Sequence, residues 1–173
     1  MHINGYKELI GKNRENGRKE MKILVDADAC PCNKIIERVA KEYDVQLLFL
    51  VDSNHILNPE YGEVLVIGQG ADAVDFALIN RLRAGDIGVT QDYGVAAMVL
   101  GKKGFAIHPS GKIYDDRNMD QMLFERHLSK VQRKANKRFH GKGPRKRTKE
   151  DDDRFERSFR RLVEHAQTIA KHF

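Results

Sequence analysis

The chain has 173 residues, which suits one globular domain with appended segments, and 40% of them are hydrophobic. It carries 31 Lys and Arg against 25 Asp and Glu, for a net charge of +6. No apolar run approaches the length of a membrane span, and the first residues lack the apolar block of a secretory signal. We therefore expect no membrane partner.

The two cysteines, Cys30 and Cys32, are separated by a single residue. A disulfide across this spacing would be strained, and a zinc ion would need two further ligands nearby. We interpret both as free thiols in a reducing compartment, and we therefore expect a cytoplasmic protein.

Positive charge is concentrated near the C-terminus. Residues 126–149 contain eleven Lys or Arg and no Asp or Glu, so the total of +6 less eleven leaves −5 on the rest of the chain. An acidic body with a basic arm favours a metal-binding centre and a polyanionic partner. We predict that the arm binds nucleic acid, RNA in particular. The predicted contacts are Lys130, Arg133, Lys134, Lys137, Arg138, Arg145, Lys146 and Arg147.

The chain begins with a polar segment, residues 1–20, which has no sustained periodicity and predicts a poorly ordered or loosely docked extension. The apolar residues 23–25 predict a first buried strand that stops at Asp26, and a second acid follows at Asp28. Pro31 then suits the first turn of a helix that continues to about Tyr43. Two carboxylates thus follow a strand at the sheet edge where open α/β proteins bind ligands.

Further apolar runs predict strands at residues 45–51, 64–67, 87–90 and 105–107. Helices are predicted between the later strands, one starting near Asp72 and one over residues 95–100. This alternation is typical of a parallel sheet of about five strands with helices on both faces, which is a three-layer α/β fold.

The C-terminal part is predicted to be helical. Residues 118–139 keep some helical spacing, residues 140–147 form a linker, and Thr148 with Asp151 resembles a capping box. Apolar residues from Phe155 to Ile169 then share one helix face, which would dock on the body or on a second copy in a homodimer. The predicted units are residues 1–20, 21–125, 126–149 and 150–173.

Acidic residues follow the first, second, third and fourth predicted strands, and a histidine follows the fifth. Several carboxylates that converge without a cation would repel one another, and a bound Mg²⁺ or Mn²⁺ removes that conflict. Such ions activate water and stabilise charge on a phosphodiester, as in metal-dependent nucleases. The predicted metal and catalytic residues are Asp26, Asp28, Asp72, Asp75 and Asp92, with His108 as an assistant to the leaving group.

Several of these residues also have a plainer interpretation. Asp72 and Asp92 suit helix N-caps, and Asp75 suits a first helical turn. Asp52 suits a turn because no second acid accompanies it, and His108 before Pro109 suits a structural role. Nothing local requires the pair of acids that follows the first strand.

Four motifs carry a family resemblance: Asp-Ala-Asp-Ala-Cys-Pro at 26–31, Gly-Ala-Asp-Ala-Val-Asp-Phe-Ala-Leu at 70–78, Thr-Gln-Asp-Tyr-Gly at 90–94 and Ile-His-Pro-Ser-Gly at 107–111. With them the chain resembles the YaiI/YqxD family of bacterial proteins over about residues 21–133 and more loosely to the C-terminus. The motif layout is similar to that of PIN and NYN ribonuclease domains. This resemblance implies a PIN-like fold and puts the same five Asp residues in a metal site.

Two other functions remain open. A haloacid-dehalogenase-like phosphatase would use Asp26 as nucleophile and Asp28 as acid/base, but it needs a lysine where residues 47–80 contain neither Lys nor Arg. A non-catalytic RNA-binding or regulatory module would keep the basic arm and use the acids as caps. Metal dependence of RNA cleavage separates this module from a nuclease.

Overall fold

A computed structural model of the chain describes residues 20–70, 72–135 and 145–172. The predicted N-terminal extension therefore lies, except for Glu20, outside the described residues. Within these ranges the strands are β1 (Lys22–Asp26), β2 (Gln46–Asp52), β3 (Glu63–Ile67), β4 (Ile87–Val89), β5 (Phe105–Ile107) and β6 (Ile113–Tyr114). The helices are α1 (Asn33–Glu42), α2 (Ala73–Arg81), α3 (Tyr93–Gly101), α4 (Asp116–Ala135) and α5 (Lys149–His172).

The strands form one sheet in the order β3-β2-β1-β4-β5-β6. All neighbours are parallel except β5 and β6, which pair antiparallel. The predicted α/β class with a mainly parallel sheet is confirmed. The prediction of about five strands omitted β6, because a strand of two residues is too short to give a hydrophobic pattern.

Both faces of the sheet are buried at β1, β2 and β4, whereas the edge strand β3 is partly exposed. Strand alternation assigns each side chain to one face. Ile23 and Val25 of β1 pack with α1 and α5, whereas Leu24 packs with α2, α3 and α4. This arrangement confirms the three layers. Gly88 of β4 allows α3 to approach closely, because a Cβ at this position would lie 3.0 Å from a methyl group of Val99.

Helix α5 is an integral part of the core of the chain. Phe155 and Phe159 are fully buried, and their rings stack with centroids 5.3 Å apart. The capping box is confirmed, since the Thr148 N–H donates to Asp151 Oδ2 at 2.8 Å and the Asp151 N–H donates to Thr148 Oγ1 at 3.3 Å. The apolar face that was predicted to dock on the body or on a second copy thus packs on the body of the same chain, and the homodimer stays a prediction.

Helix α4 leaves the body as it proceeds. Met119 and Met122 in its first two turns are buried, whereas the side chains from Leu123 onward that the structure describes are exposed. The helix runs across the predicted boundary between residues 125 and 126, so the α/β unit and the basic arm share one continuous element. None of the described helices combines the length and the apolar composition that a bilayer span requires.

Candidate metal centre

Carboxylates from four separate segments line one open pocket of about 480 Å³ at the C-terminal edge of the parallel strands. Four of the five predicted Asp residues line it, and Asp72 does not. The acids that line the pocket are Asp26, Asp28, Asp52, Asp75 and Asp92. The other polar or aromatic lining side chains are Gln91, Tyr93 and Arg126.

The alternation of side chains along the strands explains why these acids face one another. Asp26 ends β1 two residues after Leu24, so it faces the same side of the sheet as α2 and α3. Asp75 lies in the first turn of α2, and Asp92 is the N-cap of α3. Both helix N-termini therefore lie at the pocket that Asp26 also lines, and their partial positive charge favours anions.

The electrostatic cost of this arrangement is concentrated on Asp26. Burial, followed by the charges of Asp75, Asp28 and Asp92, raises the pKa of Asp26 to about 6. Burial and the neighbouring Asp92 and Asp72 also raise the pKa of Asp75. Positive charge inside the pocket would relieve both effects, and oxygen donors of this kind are the ligands that Mg²⁺ and Mn²⁺ prefer.

Asp28, Asp52 and His55 form the group of described residues that best meets metal-ligand spacing. One ligand atom from each lies within 4.8 Å of the others. Asp28 accepts a hydrogen bond from the Asp52 N–H at 2.9 Å, and His55 Nδ1 lies 2.8 Å from Asp52 Oδ1 and 3.3 Å from Asp28 Oδ1. The hydrogen bond to Asp52 and the charge of Asp28 raise the pKa of His55.

Sequence reasoning missed His55 and interpreted Asp52 as a turn residue. The turn does exist, because Asp52 Oδ1 accepts a hydrogen bond from the Asn54 N–H at 2.8 Å. A turn role and a ligand role use different capacities of one carboxylate, so the first does not exclude the second. The available signal was a histidine three residues after an acid that ends a buried strand.

The two predicted N-caps differ in the structure. Asp92 caps α3 through Oδ1, which accepts from the N–H groups of Gly94 at 2.7 Å and Val95 at 3.1 Å. Asp72 occupies the N-cap position of α2 but makes no side-chain cap hydrogen bond. Asp92 thus combines its cap with a place in the pocket, whereas Asp72 acts on the pocket through its charge.

His108 lies in the turn between β5 and β6 and does not line the acidic pocket. Its Nδ1 accepts a hydrogen bond from the Ser110 N–H at 2.9 Å, and its ring contacts Tyr114 edge-on at 6.2 Å between centroids. Burial, with the charges of Arg147 and Lys112, lowers the pKa of His108. These contacts are those of a structural histidine, and its predicted role toward a leaving group stays a prediction.

Two of the arginines predicted to bind nucleic acid have partners within the chain. Arg147 donates to Cys32 Sγ at 2.9 Å, to the Pro109 carbonyl at 2.9 Å and to Asp152 Oδ1 at 2.6 Å. Arg145 pairs with Asp151 at 2.8 Å. Both arginines therefore secure the start of α5, and Arg147 ties it to the loop after β1.

The remaining predicted nucleic-acid contacts are less constrained. Lys130, Lys134 and Lys146 are exposed. Lys137, Arg138 and the side chain of Arg133 lie outside the described residues. The cysteines are free thiols, as predicted, with Cys32 buried and Cys30 partly exposed.

Fold and site together define an α/β protein with a carboxylate-lined pocket at the C-terminal edge of a mainly parallel sheet. The chain belongs to the YaiI/YqxD family, since the family model "Uncharacterized BCR, YaiI/YqxD family" matches residues 24–165. This match confirms the resemblance noted from the motifs, and it includes every lining residue of the pocket.

The chain is also similar to UPF0178 proteins of several clostridia. It is 61% identical to that of Clostridium acetobutylicum over 143 residues, which cover 83% of this chain and 97% of the relative. It is 52% identical to that of Lachnoclostridium phytofermentans over 144 residues, with 83% and 97% covered. It is 48% identical to that of Clostridium kluyveri over 143 residues, with 83% and 93% covered. No solved structure gives a significant match.

Proposed function

We propose that this protein is a nuclease that hydrolyses phosphodiester bonds in RNA with Mg²⁺ or Mn²⁺. The observation that supports the proposal is the convergence of five carboxylates, from four separate segments of the chain, on one pocket. No single cap or turn accounts for all of them there, whereas divalent cations that are held by a few carboxylates each, together with a bound phosphate, would account for their convergence.

The carboxylates divide into two groups with different surroundings. Asp26 lies deepest and is affected by the charges of Asp75 and Asp92. Asp28 accepts a hydrogen bond from the Asp52 N–H and lies beside the ring of His55. Carboxylate oxygens and water are ligands that suit Mg²⁺ and Mn²⁺ alike. The cation would supply an activated water and neutralise charge on the phosphate, with no covalent intermediate on the protein.

The test is cleavage of a labelled single-stranded RNA by the wild-type protein and by Asp26→Asn and Asp92→Asn. Each substitution should reduce cleavage by about 100-fold or more, because it removes one oxygen ligand while keeping the side-chain shape. Asp153→Asn is the matched control, since Asp153 is an exposed acid on α5 outside the pocket. Undiminished cleavage in EDTA, or full activity of both pocket variants, would refute the mechanism.

A non-catalytic RNA-binding module is the second candidate, and the exposed lysines of the basic arm favour it. It predicts RNA binding that is unchanged by EDTA and never followed by cleavage. For either function we propose the cytoplasm as the location, because both cysteines are free thiols.

A further inference from the structure

Arg126 is the one cation among the described residues that line the acidic pocket. Its guanidinium carbon lies 5.6 Å from the centre of the Tyr93 ring, which also lines the pocket. Tyr93 is in turn held by an edge-on contact with Tyr114, with centroids 5.8 Å apart. The guanidinium of Arg126 therefore lies against an aromatic ring beside the carboxylates.

This guanidinium remains available for a ligand. No carboxylate in the part of the chain that the structure describes lies within salt-bridge distance of Arg126, although acids line the pocket beside it. Arg145, Arg147 and Arg160, by contrast, all pair with acids. An arginine with free donors beside a cluster of acids can bind an anion that enters the pocket bidentately.

Helix α4, which carries Arg126, has further positive charges beyond the pocket. Lys130 and Lys134 follow at intervals of four residues, so the three cations lie along one side of α4 about 6 Å apart. Lys130 and Lys134 are exposed and have no ion pair among the described residues. A single line of charges with this spacing matches consecutive phosphates of one extended strand better than the two strands of a duplex.

We propose that Arg126, Lys130 and Lys134 bind consecutive phosphates of a single-stranded RNA and thereby place the scissile bond in the acidic pocket. Arg126 takes the phosphate next to the scissile one, and Tyr93 acts as a positioning residue that holds the guanidinium. The proposal rests on the proposed function and adds the substrate class and the path of the strand to it.

The test measures binding separately from cleavage. Fluorescence anisotropy with a labelled 12-nucleotide oligouridylate, in Ca²⁺ in place of Mg²⁺ or Mn²⁺, is compared for Arg126→Ala, Arg126→Lys and Arg117→Ala. Arg117 is an exposed arginine of α4 nine residues earlier, on the opposite side of the helix from Arg126. Arg126→Ala should weaken binding about tenfold. Arg126→Lys should recover part of the loss, and Arg117→Ala should change little.

Two substitutions of Tyr93 test whether its ring positions the guanidinium of Arg126. Tyr93→Phe keeps the surface over which the guanidinium lies and should bind like the wild type, whereas Tyr93→Leu should resemble Arg126→Ala. In a cleavage assay Arg126→Ala should raise KM more than it lowers kcat, because the lost contact is to a phosphate that does not react.

Equal effects of Arg126→Ala and Arg117→Ala, equal affinity for a blunt duplex of the same length, or no binding by the wild type would each overturn the proposal. Cleavage of RNA with no effect of Arg126→Ala on binding or KM would overturn it and leave the nuclease function standing. Selective loss of binding by Arg126→Ala in a protein that cleaves nothing would support the strand path and reject the nuclease.

Discussion

The carboxyl group of Asp26 has a different pKa in the folded and in the unfolded chain. Its pKa rises from 3.8 to about 6 on folding, so the folded state binds more protons between these values. The stability that this proton contributes is present below pH 3.8 and is lost as the pH rises through 6. Without metal, ionised Asp26 therefore destabilises the protein at neutral pH.

Asp26→Asn should accordingly stabilise the metal-free protein at pH 7, by roughly 1–2 kcal/mol after allowance for solvent screening. The gain should disappear near pH 3.5, where wild-type Asp26 is protonated in both states. Urea unfolding in EDTA at the two pH values measures the difference. Added Mn²⁺ should reverse the order at pH 7, because only the wild type would keep the full ligand set. A variant less stable than the wild type in EDTA at pH 7 would contradict this account of the pocket.

His55 is the residue of the candidate site that could not be predicted from the sequence. The acids at the ends of β1 and β4 and at the start of α2 were predictable because each follows an apolar strand at a recognisable spacing. His55 is three residues past β2 in an exposed turn, and only the packing of that turn against Asp28 brings it to the site. Contacts of this kind depend on loop conformation, which hydrophobic periodicity does not encode.

At the scale of elements, Arg147 connects the start of α5 with the loop after β1. Its three hydrogen bonds reach Cys32, Pro109 and Asp152, and its side chain is only 24% exposed. Arg147→Ala should lower the free energy of unfolding by about 2–3 kcal/mol. Arg145→Ala should cost less than about 1 kcal/mol, because the Arg145 side chain is 68% exposed. Urea titrations of the two variants test this difference, and equal losses would remove the special role of Arg147.

Helix α5 completes one of the two cores, although it follows the basic arm in sequence. Phe159→Ala should therefore cost about 3–5 kcal/mol, as expected for truncation of a fully buried aromatic side chain. The exposed Arg157 on the same helix provides the control, and Arg157→Ala should change stability by less than about 0.5 kcal/mol. Thermal unfolding followed by circular dichroism is sufficient to compare them, and a Phe159→Ala midpoint equal to that of the control would show that α5 packs only weakly.

Most elements could be predicted from the sequence, and the exceptions have physical reasons. The strands β1 to β5 contain apolar runs, and α5 has a capping box and a clear apolar face. Strand β6, which pairs antiparallel with β5, could not be predicted, because its two residues are too few to give a hydrophobic pattern. The packing partner of α5 was equally open, since an amphipathic pattern indicates that a face is covered but not by which surface.

For the whole molecule, the distribution of charge separates chemistry from attachment. Acids line the pocket and the body is negative, whereas positive charge increases along α4 and through the basic arm. The basic arm attracts a polyanion, whereas the acidic pocket repels it unless a cation occupies the pocket. Affinity and cleavage should therefore respond to different substitutions.

The dependence of RNA affinity on salt tests this separation. Eleven cations lie in residues 126–149, and two of them, Arg145 and Arg147, are paired within the chain. If roughly half of the others contact phosphates, log K should fall with log salt with a slope of about −3, at about 0.7 per phosphate of a single strand. Replacing Lys130, Lys134 and Lys146 together by Ala should flatten the slope by about 2. Arg145→Ala should leave the slope nearly unchanged, because the charge of Arg145 is already neutralised by Asp151.

Anisotropy titrations between 50 and roughly 300 mM KCl measure the slope for the wild type and for each variant. An unchanged slope in the triple variant would show that these lysines are only solvated, and the basic arm would then be a tether between the body and α5.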